Sequence, residues 1–448
     1  MKRRERLFRT LLAVFCAGAS LLAALLALVV VDTLAPRSGR DTAVRFERRG
    51  DYWVAAHSHM IREPFLVEKP KDVFRVFVLG GSQAMGAPYA SHDLAVISYA
   101  AGLLKVPSEG GIPTWLKFYL APLFPDKRVE VVNACVYAHD LRAGVENLEW
   151  IVAHGEPDLV VIMGGDNERE EGRNHFRSYV EQTSRRAYDD LLVRLARDYA
   201  RGLDRAVALV GSRRVPLYVL TVADNLRDWL PVDETDFDPS LVDRMVVKDC
   251  AAAVPVLEKG DPTNALRLFY RAKCAESAGD LKRARALYVA AKDNDKAFIR
   301  ARSVWNELIR SRVRGRYARP LDIERFVAGL SPDGIPGFDV FWDYCHYRLP
   351  FNKRIAREIA RFYARDRGLP ASLAARVDAV VPPDLARGNV KLLYVLKQLQ
   401  WLRLSAYKAF AGSSALNSQR TAQEFQRARR EYGLISDEIA FQRERAPR

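Results

Sequence analysis

The chain has 448 residues, 49% of them hydrophobic, with 70 Lys and Arg against 55 Asp and Glu for a net charge of +15. That apolar content excludes a disordered chain, five Cys exclude a disulfide-dense mini-domain, and a mean hydropathy of −0.16 excludes a polytopic membrane protein. Arg and Lys are scattered and usually lie near an acid, so no focused stripe marks a nucleic-acid partner; a solvated Arg-rich surface is the simpler reading.

The amino terminus carries Lys2, Arg3, Arg4, Arg6 and Arg9 with one acid, Glu5. Leu11 to Val31 then gives 21 consecutive uncharged residues. About 20 helical residues span a hydrocarbon core, and leading basic residues favour a cytoplasmic amino terminus. The expectation is an uncleaved single-pass anchor in the inner (cytoplasmic) membrane, with everything after Asp32 extracytoplasmic. A cleaved signal peptide is the rival, but its apolar core is usually shorter, and Thr33-Leu34-Ala35 before Pro36 makes a poor cleavage site. Cys16 reads as an ordinary membrane residue.

Residues 33–70 read as a linker leading into a regular pattern. Val73–Leu79, Arg128–Asn133, Leu159–Met163 and Pro216–Val222 are apolar runs of the kind that form buried strands. Helical stretches lie between them at about 94–121, 142–154 and 175–211. This alternation predicts an α/β fold with a parallel sheet and helices on both faces, its chemistry in loops at the carboxyl ends of the strands. Residues 232–310 break the pattern. Within them, Asn264 to Ala291 reads as helix, an Ala-Gly-Asp turn at 278–280, and helix, similar to one tetratricopeptide-like hairpin. A lone repeat cannot bury its own face, so it is expected to pack on the main domain or to cap the site. Arg354–Arg367 closes the sheet domain, and Lys391–Phe410 is a further apolar helix.

Four short segments carry chemistry. Gly80-Gly81-Ser82 follows the first strand, where small residues let the backbone turn and expose a hydroxyl at a helix start. Asp343-Tyr344-Cys345-His346 puts a carboxylate and an imidazole on one side of one turn. Gly164-Gly165-Asp166-Asn167 ends the third strand with an amide donor, and Asn133-Ala134-Cys135 offers a backbone N–H after the second. No GxxxxGK[ST] or GxGxxG phosphate cradle is present.

In this order the segments resemble the SGNH (GDSL-like) hydrolase superfamily across residues 73–365. FRVFVLGGSQAMGAPY (74–89), VEVVNACVYAHD (129–140), PDLVVIMGGDNE (157–168), TVADNLRDWLP (221–231) and SPDGIPGFDVFWDYCHYRLPFNKRIA (331–356) resemble its bacterial branch with tetratricopeptide-like helices. The resemblance implies a three-layer α/β/α flavodoxin-like parallel sheet with a helical insertion, which the apolar run at Leu11–Val31 would precede with one transmembrane helix. It implies Ser82 as nucleophile, His346 as general base and then acid, and Asp343 as the group that orients His346. The oxyanion donors would be the N–H of Ser82, the N–H of Cys135 and the side chain of Asn167; Gly81, Gly165 and Arg227 would contact substrate. No metal or cofactor is implied. Three residues depart from the usual pattern: Cys135 replaces a Gly, Tyr347 replaces a Pro, and Asp166 puts an acid beside the hole, with Arg169 or Arg173 as its expected partner.

The predicted organisation is a tail and anchor at 1–32, the linker at 33–70 and the first part of the sheet domain at 71–231. The helical insertion follows at 232–310, the last part of the sheet domain at 311–370, and carboxyl-terminal helices at 371–448. The expected activity is a membrane-anchored, periplasmic serine esterase acting on an acyl or acetyl ester of an envelope glycan or lipid. Two alternatives stay open: an acyltransferase using the same triad, and a non-catalytic tethered binding protein with a protein partner at the insertion. Cys135, Cys345, Cys250 and Cys274 read as free thiols, with disulfides the minor alternative in an extracytoplasmic setting. His57, His59, His139 and His154 match no metal-site spacing and read as structural or surface groups. For Arg227, a structural salt bridge with Asp228 or a neighbour is the default reading, and an anionic group of the substrate is the alternative.

Overall fold

A computed structural model describes residues 46–56, 60, 63–87, 110–168, 184–231, 233, 236–296 and 300–382. The Leu11–Val31 span and the Lys391–Phe410 helix lie outside these residues, as do 94–109 and 175–183 of the predicted helices. Among the described residues no helix is long and apolar enough to cross a membrane.

Three short strands come first: β1 (Phe46–Arg49), β2 (Tyr52–Ala55) and β3 (Phe65–Leu66), antiparallel in that order. The sequence predicts only linker here, because the runs are short and charged. Aromatic packing holds them: Phe46 stacks on Trp150 at 4.7 Å, and Trp53 meets the same indole edge-on at 4.9 Å.

The main sheet has five parallel strands: β4 (Val73–Gly80), β5 (Arg128–Asn133), β6 (Leu159–Met163), β7 (Leu217–Leu220) and β8 (Ala318–Leu321). The spatial order is β5-β4-β6-β7-β8, the flavodoxin-like 2-1-3-4-5 order when these strands are counted alone. Every residue of β4, β6 and β7 is buried, which is why those runs lack alternation. Arg75 survives inside β4 because its guanidinium meets Glu130 on β5 at 2.5 Å and the Gly155 carbonyl at 2.9 Å. The sequence shows no signal for β8. Its four residues include Pro320, which only an edge strand tolerates, and β8 pairs with β7 alone.

With the right-handed crossovers that parallel strands almost always take, this order places the helices in two layers. One layer holds α2 (Ile112–Leu120), with α11 (Leu349–Asp366) and α12 (Ala371–Ala379) beside it. The other holds α3 (Leu141–His154), α4 (Arg185–Arg213) and α9 (Ser303–Arg312). A single-turn helix, α1 (Ser82–Met85), lies at the carboxyl end of β4, and α10 (Ile323–Leu330) follows β8.

The insertion contains α5 (Pro239–Lys248), α6 (Cys250–Leu257), α7 (Ala265–Ser277) and α8 (Leu281–Asp293). The helix–turn–helix read from 264–291 is α7 and α8, with Gly279 at φ +80° in the turn. Asn264 and Asp280 cap the two helices, each accepting a backbone N–H at 3.0 Å. The hairpin buries its apolar face largely within the insertion, against Val242, Val246 and Leu257 of α5 and α6, and Leu226 and Ile335 from outside the insertion complete the core around Phe269 and Tyr288. The free-thiol reading is corrected for one pair: Cys250 and Cys274 form a disulfide across 5.4 Å between Cα atoms, tying α6 to α7. Cys135 and Cys345 are free and buried.

Candidate active site

The first functional segment is built from glycine. Gly80 ends β4 at φ +148°, and a Cβ there would lie 2.0 Å from the Met163 carbonyl oxygen, so only Gly lets the ends of β4 and β6 meet. Gly81 then caps α1, and Gly86 (φ +94°) stops it after one turn. Ser82 therefore stands at the start of a helix fixed at both ends, 7% exposed.

The second segment is a tight turn before α11. Asp343 Oδ1 accepts the backbone N–H groups of Cys345 (2.9 Å) and His346 (2.8 Å), which folds the turn. Its other oxygen faces His346 Nδ1 at 2.7 Å. With that proton donated to the carboxylate, Nε2 is the acceptor, and it lies 2.8 Å from Ser82 Oγ. Burial pushes the Asp343 carboxyl up, but the His346 charge and the hydrogen bonds from His346 and Cys345 outweigh it and hold it below its ordinary value. The structure thus brings Ser82, His346 and Asp343 into one chain of hydrogen bonds.

The loop after β6 forms the opposite wall. Asn167 Nδ2 donates to the His139 carbonyl at 3.2 Å, and a Cβ on Gly81 would come within 2.5 Å of that same nitrogen. Gly81 is thus what lets the Asn167 amide lie against the Ser82 backbone. Gly165, at φ +151°, faces Val222 and Trp305, inside the packing and not on a substrate surface. Tyr199 stacks on Trp305 at 5.2 Å and donates its hydroxyl to the Gly164 carbonyl at 2.8 Å.

Cys135 is not among the described residues with positive φ, so the backbone accepts a side chain at the position where the resemblance led to the expectation of a Gly. Its Sγ donates to the Val78 carbonyl at 3.4 Å, and its N–H points to Asn133 Oδ1 in a long 3.4 Å bond.

Like Gly165, Arg227 loses its expected substrate role while its salt-bridge reading holds, and the expected partner of Asp166 is corrected. Arg227 is buried and ion-paired to Glu276 (3.0 Å) and Asp333 (2.9 Å), so it bridges the insertion to the loop at 333 and offers no charge to a substrate. Asp166 hydrogen-bonds with Asp224, in the loop after β7. Its expected partners Arg169 and Arg173 lie outside the described residues. Burial, then the neighbouring Asp224, pushes the Asp166 carboxyl well up. Asp224 is pushed up to about 6, mainly by burial, against the opposing charges of Lys292 and Arg300. Both carboxyls are thus shifted toward the protonated form, and one proton shared between them would leave Asp166 without a charge beside the site.

Two further amides hold the site: Gln83, which sequence reasoning misses, and Asn225, which the sequence places only in the pocket-lining segment Asn225–Trp229 after the fourth strand. Gln83 Nε2 donates to the Ala223 carbonyl (2.9 Å) and to the Cys345 carbonyl (2.8 Å). Asn225 donates through its side chain to the Asp343 carbonyl and through its N–H to the Tyr344 carbonyl, both at 2.9 Å. The one signal available is a polar residue next to Ser82 in an otherwise apolar turn.

Ligating atoms of Asp343, Cys345 and His346 lie within 4.8 Å of one another, the spacing of a small metal cluster. Both His346 nitrogens face Asp343 and Ser82, and burial pushes the Cys345 thiol well up, which keeps it protonated. The cluster is therefore the hydrogen-bonded turn itself. His139 contributes its backbone carbonyl, and His154 lies beside Trp150 (5.3 Å) and Trp53 (6.2 Å); His57 and His59 are outside the described residues.

No protein-family model matches the chain, and no curated protein matches it. Solved structures similar to it include an α/β hydrolase enzyme from the metagenome of Lake Arreo, Spain (14% identity, 66% of this chain and 95% of that one, TM-score 0.31). A two-domain esterase active on acetylated mannans is similar at 10% identity over 70% of this chain and 51% of that one, with a TM-score of 0.29. An acetylxylan esterase from Geobacillus stearothermophilus is similar at 13% identity over 66% of this chain and 95% of that one, with a TM-score of 0.28. At these identities and TM-scores the likeness is distant.

Proposed function

We propose that the chain is a serine esterase of SGNH type, anchored by Leu11–Val31 with its catalytic domain outside the cytoplasm. The observation that carries the reading is the continuous path Ser82 Oγ to His346 Nε2 (2.8 Å) and His346 Nδ1 to Asp343 (2.7 Å). His346 takes the Ser82 proton as Oγ attacks an ester carbonyl, and Asp343 stabilises the imidazolium that forms. The tetrahedral oxyanion is met by the Ser82 N–H and the second N–H of the Asn167 amide. The Cys135 N–H, turned toward Asn133, is the weakest of the three expected donors. His346 then protonates the leaving alcohol, and a water activated by the same imidazole cleaves the acyl-enzyme.

The Cys250–Cys274 disulfide supports an oxidising compartment, independently of the amino-terminal charge pattern. An acyl or acetyl ester on an envelope glycan or lipid is the substrate class that this location and the SGNH resemblance favour.

A fluorophosphonate probe tests the reading. Folded wild type should label at one serine, and Ser82→Ala should abolish labelling and lower ester turnover by about 10⁴-fold or more. An unlabelled wild type would leave the tethered binding protein standing. Acyl transfer to an added sugar, in place of free acid release, would identify the acyltransferase.

A further inference from the structure

Four successive carbonyls of the Asp343–His346 turn each receive a donor. Asp343 and Tyr344 are held by Asn225, Cys345 by Gln83 and His346 by the Trp342 N–H. Only Gln83 belongs to the helix that carries Ser82. The residue after the nucleophile therefore grips the residue before the base, while Ser82 Oγ meets His346 Nε2 directly. The second amide hydrogen of Gln83 goes to Ala223, so one side chain joins α1, the loop after β7 and the turn of the base. Gln83 is 3% exposed, and its Oε1 is buried without a partner. An orphaned buried oxygen costs stability, and an apolar side chain would avoid it. The amide is suited to this position by its two donors, not by its packing.

We propose that Gln83 is a positioning residue that fixes the distance between Ser82 and His346; this rests on the esterase reading of the same site. A misplacement of about 1 Å at a reacting pair costs on the order of 10² in rate. Gln83→Met keeps the length and removes both donors. It should label with fluorophosphonate about 10²-fold more slowly than wild type and should shift or broaden the far-downfield proton resonance of His346 Nδ1–H on Asp343. Gln83→Glu keeps one donor only while protonated, so its deficit should deepen as pH rises. Asn352 supplies the control: it is fully buried, donates its amide to the Gly110 carbonyl at 3.1 Å and also leaves an orphaned oxygen, so its side-chain hydrogen bond goes to Gly110 and not to the turn. Asn352→Leu should label at the wild-type rate. Wild-type labelling and an unchanged resonance in Gln83→Met, a pH-independent deficit in Gln83→Glu, or an equal slowing in Asn352→Leu would each overturn the proposal. A wild type that takes no label would sink the esterase reading alone, because the resonance still reports whether Gln83 holds the His346–Asp343 pair.

Discussion

Asp343 performs two tasks with one carboxylate: Oδ1 folds the turn through two backbone N–H groups, and Oδ2 orients the imidazole. The Asp166–Asp224 pair is its electrostatic opposite. Asp343 is held below its ordinary value, so its contribution to stability is present above about pH 4 and is lost below it. Asp166 and Asp224 are raised, so the folded protein binds protons there that the unfolded chain releases, and stability falls as pH rises from about 4 toward 6. Lys292, Arg300, Glu168 and Asp343 face the pair and set its balance. Asp224→Asn removes one titration. The melting temperature of the variant relative to wild type should therefore climb between pH 4 and pH 7, read by calorimetry; parallel curves would refute the shared proton. Little of this pair is legible in the sequence, because Asp224 lies 58 positions beyond Asp166 and only the sheet order brings them together. Ser82, Asp343 and His346 were legible because each ends a segment whose pattern is local: an apolar run into Gly-Gly, and an Asp-x-x-His turn.

At the scale of elements, the insertion is bolted to the site by buried charge. Arg300 pairs with Asp295 at 2.8 Å and donates to the carbonyls of Asn225 (2.9 Å) and Trp229 (3.3 Å). Asn225 in turn holds the turn of Asp343. Strands β4 to β7 could be read from continuous apolar runs, and α7 and α8 from their Ala-Gly-Asp turn. Burial of Arg227 and Arg300 could not, since a charged side chain advertises solvent until its partner is known. The disulfide belongs to this scale. Closing a loop of 24 positions stabilises by about 3 kcal/mol in the chain-entropy account. Replacing Cys250 and Cys274 by Ser should expose the amides of α5 to α8 to faster hydrogen exchange while leaving those of β4 to β7 protected. Equal loss of protection in the sheet would mean that the insertion and sheet unfold as one unit.

For the whole molecule, the count of 70 Lys and Arg overstates the basic groups that face solvent, although the net charge of +15 is little changed because most buried arginines take an acid with them. Arg75, Arg227, Arg267, Arg300 and Arg302 are each 3% exposed or less and end on carboxylates or carbonyls. Composition could not tell interior arginines from exterior ones. Topology rests on the other end of the chain: a carboxyl-terminal reporter that works only in the periplasm should be active in intact cells, and activity only in the cytoplasm would overturn the orientation. The hydroxyl and the imidazole of the site are separated by 264 positions. At about 5–20 residues per second of synthesis, roughly 13–50 s pass between the emergence of one and the arrival of the other. Throughout that interval Ser82 stands without the imidazole it meets in the fold, so the hydroxyl–imidazole pair can form only once the segment leading into α11 has been made.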